Sequence, residues 1–298
     1  MHFADRLTES VDRAGNPILL GVDPHLDLLP DAFAVARDPE APRSERADAV
    51  ADFCCQLVEM AADRVPAIKP QSAFFELFGA DGVAAFERVV ETGRAAGLVV
   101  IGDVKRGDIA STARAYARAH LAPAGSGASG RCDAITINPY LGADTLEPFI
   151  EVADEVDGGL FVLVRTSNPG GTEWQTAGAP NFAERVAERL SAWGEERLAE
   201  CELSNLGAVV GATHRDELAV WRDRLPHSWL LLPGFGAQGG TAEDVKGAFR
   251  PDGLGALVSS SRGIAFAYRK SGATDWKQAA SDALDDSIRA VQAIRPGT

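Results

Sequence analysis

The sequence predicts a single (β/α)8 barrel, the TIM-barrel architecture, preceded by a short N-terminal helix. Eight apolar, β-branched runs recur along the 298 residues, and each is followed by turn residues and then by a segment of helical periodicity. The runs are almost continuously apolar, which is typical of parallel strands buried on both faces. A doubly wound open sheet is the alternative, but the strand count and the absence of a second compositional domain favour a closed barrel.

The predicted strands are the apolar runs themselves. They cover residues 18–24, 65–71, 98–105, 133–140, 159–167, 206–213, 229–237 and 255–264. The predicted helices lie between them, near residues 45–63, 82–96, 109–120, 143–155, 181–201, 214–223, 242–249 and 274–293. In the first 15 residues, Phe3, Leu7 and Val11 recur at helical spacing, which predicts the additional N-terminal helix.

We expect one domain over residues 1–298 with two surface insertions. A Pro- and charge-rich connection covers residues 25–44, and a Gly/Ser-rich stretch covers residues 122–130.

The formal net charge of −14 argues against a nucleic-acid or anionic-membrane partner, because phosphates would be repelled on average. No segment stays apolar for 18 residues and no signal peptide is evident, so we expect the cytoplasm. The four cysteines show no zinc-ligand spacing, and no metal is predicted.

Active sites of such barrels lie at the carboxyl ends of the strands, so polar residues there are the first candidates. The strongest signal is GDVKRGDIAST at 102–112. Asp103 and Lys105 are two residues apart on a strand and should leave the same face, whereas Asp108 and Thr112 are predicted one turn apart on the next helix. A solvated charge cluster near a helix N-terminus is the simpler interpretation of this short motif.

Lys69 ends the second predicted strand. A lone lysine there is usually a surface charge. Its neighbouring strand ends with Asp103 and Lys105, however, and alternating charges in one pocket hold each other ionised.

The last two strands suggest a phosphate site. GFGAQGG at 234–240 is a glycine-rich loop before a helix, and SSRGI at 260–264 closes the eighth predicted strand. The loops after strands seven and eight of such barrels often bind phosphate through backbone N–H groups and a cation, here Arg262. A turn that needs glycine only for its geometry is the alternative.

After strand five, a loop from Thr166 to Pro180 could serve as a lid, although exposed loops commonly have this composition.

Seven segments together resemble orotidine 5′-phosphate decarboxylases of the longer bacterial branch, in the family's order. They are GVDP at 21–24, IKPQSAFFE at 68–76, GDVKRGDIAST at 102–112, INPYLG at 137–142, VRTSNPG at 164–170, PGFGAQGG at 233–240 and SSRGIAFAY at 260–268. The resemblance implies a (β/α)8 barrel that converts orotidine monophosphate to uridine monophosphate and CO2 without cofactor or metal.

The resemblance also implies residue roles. Lys69, Asp103, Lys105 and Asp108 would form the charged network, with Lys105 as proton donor. A homodimer is implied, in which Asp108 and Thr112 reach the partner's active site. The substrate-binding residues would be Asp23 and Lys69 for the ribose hydroxyls, Thr112 for the ribose across the dimer, Ser167 for the pyrimidine, and Gln238 and Arg262 for the 5′-phosphate.

Three other hypotheses remain at this point. A Mg²⁺-dependent sugar-phosphate decarboxylase or aldolase of the same superfamily shares the Asp-x-Lys-x-x-Asp pattern, but such relatives characteristically lack a lysine where Lys69 stands. A Schiff-base aldolase would need a neutral lysine, whereas flanking carboxylates keep a lysine charged. A barrel that only binds a phosphorylated ligand is the non-enzymatic alternative.

Overall fold

Eight parallel strands close into a barrel in the computed structural model, which describes residues 1–121, 130–213, 215–236 and 241–296. The strands follow one another around the ring in chain order, and the last pairs with the first. They are β1 (Ile18–Val22), β2 (Ala67–Pro70), β3 (Val99–Arg106), β4 (Ala134–Ile137), β5 (Gly159–Arg165), β6 (Leu206–Val210), β7 (Leu230–Leu232) and β8 (Ala256–Ser260). The predicted (β/α)8 barrel is confirmed, and the open sheet is wrong.

Helices surround the strands. In chain order they are α1 (Phe3–Ala14), α2 (Arg43–Ala61), α3 (Ser72–Glu76), α4 (Gly79–Ala95), α5 (Ala110–His120), α6 (Glu147–Glu155), α7 (Gly171–Gln175), α8 (Phe182–Glu195), α9 (Arg215–Arg224), α10 (Ala242–Val245), α11 (Arg262–Ala265), α12 (Ala267–Ser271) and α13 (Trp276–Gln292). Short 3-10 segments occupy Leu26–Leu28, Asp31–Arg37, Ala143–Thr145 and Lys246–Ala248. Within the described part of the chain, no helix is long and apolar enough to cross a bilayer.

The strands are apolar throughout because both of their faces are buried. Leu19 of β1 belongs to the cluster inside the barrel, and its neighbour Leu20 belongs to the cluster between strands and helices. Alternate residues of a strand point to opposite faces, so each face needs its own apolar side chains. Burying one such side chain contributes roughly 1.5–3 kcal/mol.

The predicted N-terminal helix is present as α1, and it closes the amino-terminal end of the barrel. Phe3, Leu7 and Val11 are fully buried and join the cluster inside the barrel. The ring of Phe3 meets the ring of Phe161 edge to face, with 6.3 Å between centroids. At the start of β5, a Cβ on Gly159 would lie 2.4 Å from the Phe3 ring, so only glycine allows this approach.

Several predicted boundaries at the opposite end are wrong. Strand β8 ends at Ser260, and Arg262 begins α11 instead of closing the strand, because Ser261 leaves the extended conformation (φ −122°, ψ −84°). Helix α5 begins at Ala110, so Asp108 precedes it and does not share a helical turn with Thr112. Each strand must turn outward here to reach its helix, and apolar periodicity does not record where that turn begins.

The 25–44 connection folds back onto the barrel. It contains the first two 3-10 segments, and Phe33 within the second of them is buried. The Tyr268 hydroxyl donates a hydrogen bond to the Leu28 carbonyl (2.7 Å), which ties the connection to α12. Residues 122–129 of the second expected insertion lie outside the described residues. That both segments are insertions into a one-domain chain stays a prediction.

Candidate active site

Lys69, Asp103 and Lys105 form one charged array at the carboxyl end of the barrel. The Nζ of Lys69 lies 2.6 Å from Asp103 Oδ2, and the Nζ of Lys105 lies 2.5 Å from Asp103 Oδ1. The side chains of Lys69 and Asp103 are 8% and 7% exposed, whereas that of Lys105 is 45% exposed. One buried carboxylate is therefore shared by a buried lysine and a lysine that reaches open space.

Their neighbours keep Asp103 and Lys69 ionised. Burial alone would raise the pKa of Asp103, but the positive charges and hydrogen bonds of Lys69 and Lys105 outweigh it and hold that pKa well below its usual range. Burial alone would lower the pKa of Lys69, but Asp103 and then Asp23 outweigh it and raise that pKa. A lysine that its neighbours hold in the charged form is a poor Schiff-base nucleophile.

A bulge in β3 shapes this array. Gly102 pairs with Ile135 and Arg106 with Ile137, so three residues of β3 stand opposite the single residue Thr136 of β4. Lys105 adopts a left-handed backbone conformation (φ +44°), which is rare for a residue with a Cβ. Thr136 was not among the residues predicted from the sequence, although its hydroxyl within the apolar run AITI is a usable signal.

The array opens into a cavity of about 510 Å³. Its wall includes Lys69, Asp103, Lys105, Thr136, Leu163, Ser167, Asn168, Trp174, Gln175, Val209 and Leu231. The charged groups stand against an apolar side made by Leu163, Val209 and Leu231. This arrangement suits a flat, partly apolar ligand that carries negative charge.

Ser167 reaches this cavity because of a close backbone approach. A Cβ on Gly211, just after β6, would lie 2.8 Å from Ser167 Cα and 2.9 Å from its Cβ and N. Glycine at 211 thus brings the segment after β5 against the end of β6.

The segment after β5 is also anchored by Arg165, which the sequence analysis missed. Arg165 is buried at the end of β5 and its Nε lies 3.2 Å from Glu217 Oε2 on α9. Its Nη2 donates to Thr172 Oγ1 (3.3 Å) on α7. The side-chain Oε1 of Gln175 in turn accepts a hydrogen bond from the backbone N–H of Thr166 (2.9 Å). The loop predicted from composition therefore contains a short helix, α7, fastened to the barrel.

Asp23 follows β1 and presents an unsatisfied acceptor. Its Oδ1 is buried and has no hydrogen-bond partner among the described residues, although its charge acts on Lys69. Burial lowers the pKa of the neighbouring His25. The negative charge of Asp23 opposes this shift, and the positive charge of Arg262 adds to it. Asp23 and Arg262 therefore lie on the same side of the barrel mouth.

Arg262 and the remaining candidates lie apart from the array. Arg262 is exposed and lines a second cavity, of about 1050 Å³, together with Phe235 and Gly236 after β7. Gln238 lies outside the described residues. Asp108 accepts a hydrogen bond from the backbone N–H of Ile109 (2.8 Å), Thr112 is exposed, and neither lines the cavity that holds Lys105.

Nothing in the described ranges resembles a metal centre. These residues contain no group of three or more His, Cys, Asp or Glu side chains that could hold an ion. Cys54, Cys55, Cys132 and Cys201 are free thiols. The polar side chains of the cavity wall are ammonium, hydroxyl and amide groups, and the carboxylate of Asp103 already pairs with two lysines.

Comparison with known proteins decides the family. A model of the orotidine 5′-phosphate decarboxylase / HUMPS family matches residues 26–275. The chain belongs to this family. The resemblance that the seven short segments carry is confirmed. Asp23 precedes the matched range, whereas the Lys69–Asp103–Lys105 array lies within it.

Relatives in the family are similar over nearly the whole chain. An orotidine 5′-phosphate decarboxylase of Rhodopirellula baltica is 44% identical over 275 residues, which are 91% of this chain and 90% of the relative. The crystal structure of a candidate orotidine 5′-phosphate decarboxylase from Streptomyces avermitilis matches with a TM-score of 0.79 and 37% identity, covering 98% of this chain and 96% of that one. Leishmania donovani OMP decarboxylase matches with a TM-score of 0.72 and 34% identity over 98% and 99% of the two chains.

Proposed function

We propose that this protein is an orotidine 5′-phosphate decarboxylase, a carboxy-lyase that forms uridine 5′-phosphate and CO2 in pyrimidine biosynthesis without cofactor or metal. The observation that carries the proposal is the buried Lys69–Asp103–Lys105 array at the mouth of a barrel of this family. The substrate is an anion with a flat pyrimidine ring, which matches a cavity with ammonium groups facing an apolar wall.

Lys105 is the group that meets the developing charge. When the bond between C6 and the carboxylate breaks, the electron pair stays on C6, and no adjacent carbonyl delocalises it. The fixed ammonium of Lys105 stabilises this carbanion and then transfers a proton from Nζ to C6, and the resulting amine regains a proton from solvent. Its 45% exposed side chain is the one member of the array that reaches open space.

Asp103 holds the side chain of Lys105 in position. A substrate carboxylate about 4 Å from Asp103 would also be repelled by roughly 4 kcal/mol at an effective dielectric near 20. Enzymes lower barriers by about 8–23 kcal/mol, so stabilisation of the carbanion must contribute more than this repulsion. The double hydrogen bonding of Asp103 supports the orienting role.

The other candidates bind the rest of the nucleotide. The unsatisfied Oδ1 of Asp23 accepts a hydrogen bond from a ribose hydroxyl, with Lys69 nearby. Ser167 contacts the pyrimidine from the segment after β5. Arg262 and Gln238 bind the 5′-phosphate at the loops after β8 and β7, the usual phosphate position in such barrels. Phosphate binding supplies energy for closing the loops after β5 and β7 over the reaction.

The active enzyme is a homodimer in which Asp108 and Thr112 complete the partner's site. Two observations support this. Neither residue lines the cavity that holds Lys105 in its own chain. Large apolar side chains are also exposed nearby: Ile109, next to Asp108, is 60% exposed, and Tyr140 and Leu141, after β4, are 64% and 51% exposed. The four free thiols support a reducing cytoplasmic location.

The decisive experiment follows the ultraviolet absorbance of orotidine monophosphate in the presence of EDTA. Wild type should turn over, and Lys105→Ala should lose nearly all activity, whereas Lys277→Ala, an exposed lysine on α13, should match wild type. Folded wild type without turnover would contradict the proposal. Turnover of a sugar phosphate only when Mg²⁺ is added would favour the metal-dependent alternative.

Mixed dimers test the shared site. Lys105→Ala and Asp108→Ala are each expected to be inactive alone. In a mixed dimer, the subunit with Asp108→Ala keeps its own Lys105 and receives an intact Asp108, so random mixing should restore about a quarter of wild-type activity. Absence of any recovery, with subunit exchange verified by mass, would place Asp108 in its own subunit's site.

A further inference from the structure

Thr136 stands at the centre of the charged array without carrying a charge. It is 1% exposed and lies on β4 between Ile135 and Ile137. Its Oγ1 donates a hydrogen bond to Asp103 Oδ1 (2.9 Å) and accepts one from the backbone N–H of Lys105 (3.0 Å). One hydroxyl thus uses both its donor and an acceptor on two members of the array.

These contacts close a ring. Starting at the backbone N–H of Lys105, the path runs to Thr136 Oγ1, then to Asp103 Oδ1, and returns to Lys105 through its own Nζ (2.5 Å). Lys105 is therefore held at both ends, through its backbone and through its ammonium. The carboxylate that aims the ammonium is held by the same hydroxyl.

The bulge explains why a hydroxyl is needed. In a regular parallel pair, the backbone N–H groups of β3 bond to carbonyls of its neighbour, but three residues of β3 face Thr136 alone. The N–H of Lys105 would be left without a strand partner, and Thr136 Oγ1 supplies the acceptor instead. The left-handed conformation of Lys105 is one that persists only where the surroundings enforce it.

We propose that Thr136 is a positioning residue, whose hydroxyl fixes the Lys105 backbone in the bulge and the Asp103 carboxylate beneath the Lys105 ammonium. The inference rests on the proposed function, because the ammonium acts on the reacting carbon. Thr136 itself transfers no proton to substrate. Loss of this hydroxyl should slow the chemical step more than it weakens substrate binding. The reason is that displacing the ammonium weakens its interaction with the carbanion more than its interaction with the bound substrate.

Two substitutions separate the hydroxyl from the shape of the side chain. Thr136→Val keeps the branched shape and removes the hydroxyl, whereas Thr136→Ser keeps the hydroxyl and removes a methyl group. We expect Thr136→Val to lower kcat by roughly 10- to 100-fold, the range for losing a hydrogen bond to a charged group, with a KM change below about threefold. Thr136→Ser should retain kcat within about threefold of wild type.

Thr145→Val is the matched control. Thr145 is also buried (2% exposed), and its Oγ1 donates to the Gly142 carbonyl (2.7 Å) away from the array. It should lower the melting temperature without a comparable fall in kcat. Crystal structures of both Thr136 variants provide a readout that needs no turnover. Lys105 Nζ should remain within hydrogen-bond distance of Asp103 Oδ1 in Thr136→Ser and move away from it in Thr136→Val.

The outcomes distinguish this inference from the proposed function. If wild type turns over and Thr136→Val matches it, or if Thr136→Ser is as impaired as Thr136→Val, the hydroxyl does not position the array. If wild type shows no turnover, the proposed function fails, and the crystal structures alone decide whether Thr136 fixes Lys105. An unmoved Lys105 in Thr136→Val would then overturn the inference.

Discussion

The ammonium of Lys69 and the carboxylate of Asp103 form an ion pair of 2.6 Å that is almost sealed from solvent. Such a pair gains little net stability over an apolar pair, because both charges lose their hydration. Removing one partner is different, since it leaves the other charge buried and incompletely compensated. The same ion pair therefore belongs to the candidate active site and affects the stability of the barrel, so a substitution of either residue changes both.

Lys69→Met should destabilise the protein as well as inactivate it. The free energy of unfolding is expected to fall by about 3–5 kcal/mol, the range for breaking a buried ion pair. Urea denaturation measures this, and the orotidine monophosphate assay measures activity. Lys277→Met, which alters an exposed lysine, should change neither. A stable but inactive Lys69→Met would show that Asp103 can rely on Lys105 alone.

The stability of the protein should depend on pH through Asp103. Because its pKa is lowered by folding, Asp103 contributes stability that is fully present above the unfolded-state pKa of about 3.9 and is lost as pH falls toward the folded-state pKa. The difference in unfolding free energy between wild type and Asp103→Asn should be constant from about pH 5 to 8 and shrink below about pH 4. The same urea titrations at a pH of roughly 2.5, well below the unfolded-state pKa, provide the test. A difference in unfolding free energy that stays unchanged there would contradict this assignment.

Gly211→Ala should impair the site through Ser167. The added Cβ would lie within 2.9 Å of Ser167 backbone atoms, which cannot move away without displacing the segment after β5. We expect a rise in KM for orotidine monophosphate of about tenfold, with a smaller fall in kcat, because Ser167 is proposed to bind the pyrimidine. Steady-state kinetics provide the measurement. An unchanged KM would mean that the segment shifts without cost or that Ser167 does not contact substrate.

Arg165→Lys should loosen α7. A lysine cannot reach Glu217 and Thr172 at once as the guanidinium does, so the anchor loses at least one hydrogen bond. We expect the free energy of unfolding to fall by about 1–3 kcal/mol and KM to rise. The control is Arg289→Lys on α13, whose ion pair with Asp286 is exposed and should be worth little. Faster proteolysis near Trp174, which is 61% exposed, would locate the loosening.

The barrel could be predicted from sequence because its pattern is global. Each strand needs apolar residues on both faces, as Leu19 and Leu20 show, and this requirement repeats eight times. The charged array was also predictable, since Lys69, Asp103 and Lys105 are the strand-end charges of neighbouring strands. Patterns of this kind depend on residue type and spacing alone.

Thr136 and Arg165 could not be identified in the same way. Thr136 is important because of a bulge that shifts β3 against β4, and the shift is invisible in either strand taken alone. Arg165 is buried only because Glu217, 52 residues further on, is there to meet it. The position of Arg262 was misjudged for a related reason, since strand β8 ends where Ser261 turns away and not where the apolar run ends.

The N-terminal helix has a consequence for the order of events in turnover. Because Phe3 and its neighbours plug one end of the barrel, everything that enters or leaves the reaction chamber shares the opposite opening. A nucleotide bound at that opening, as proposed above, would lie between newly formed CO2 and the solvent. CO2 and the nucleotide therefore leave through the same opening, one after the other. Product release can then limit the rate even when the bond has already broken.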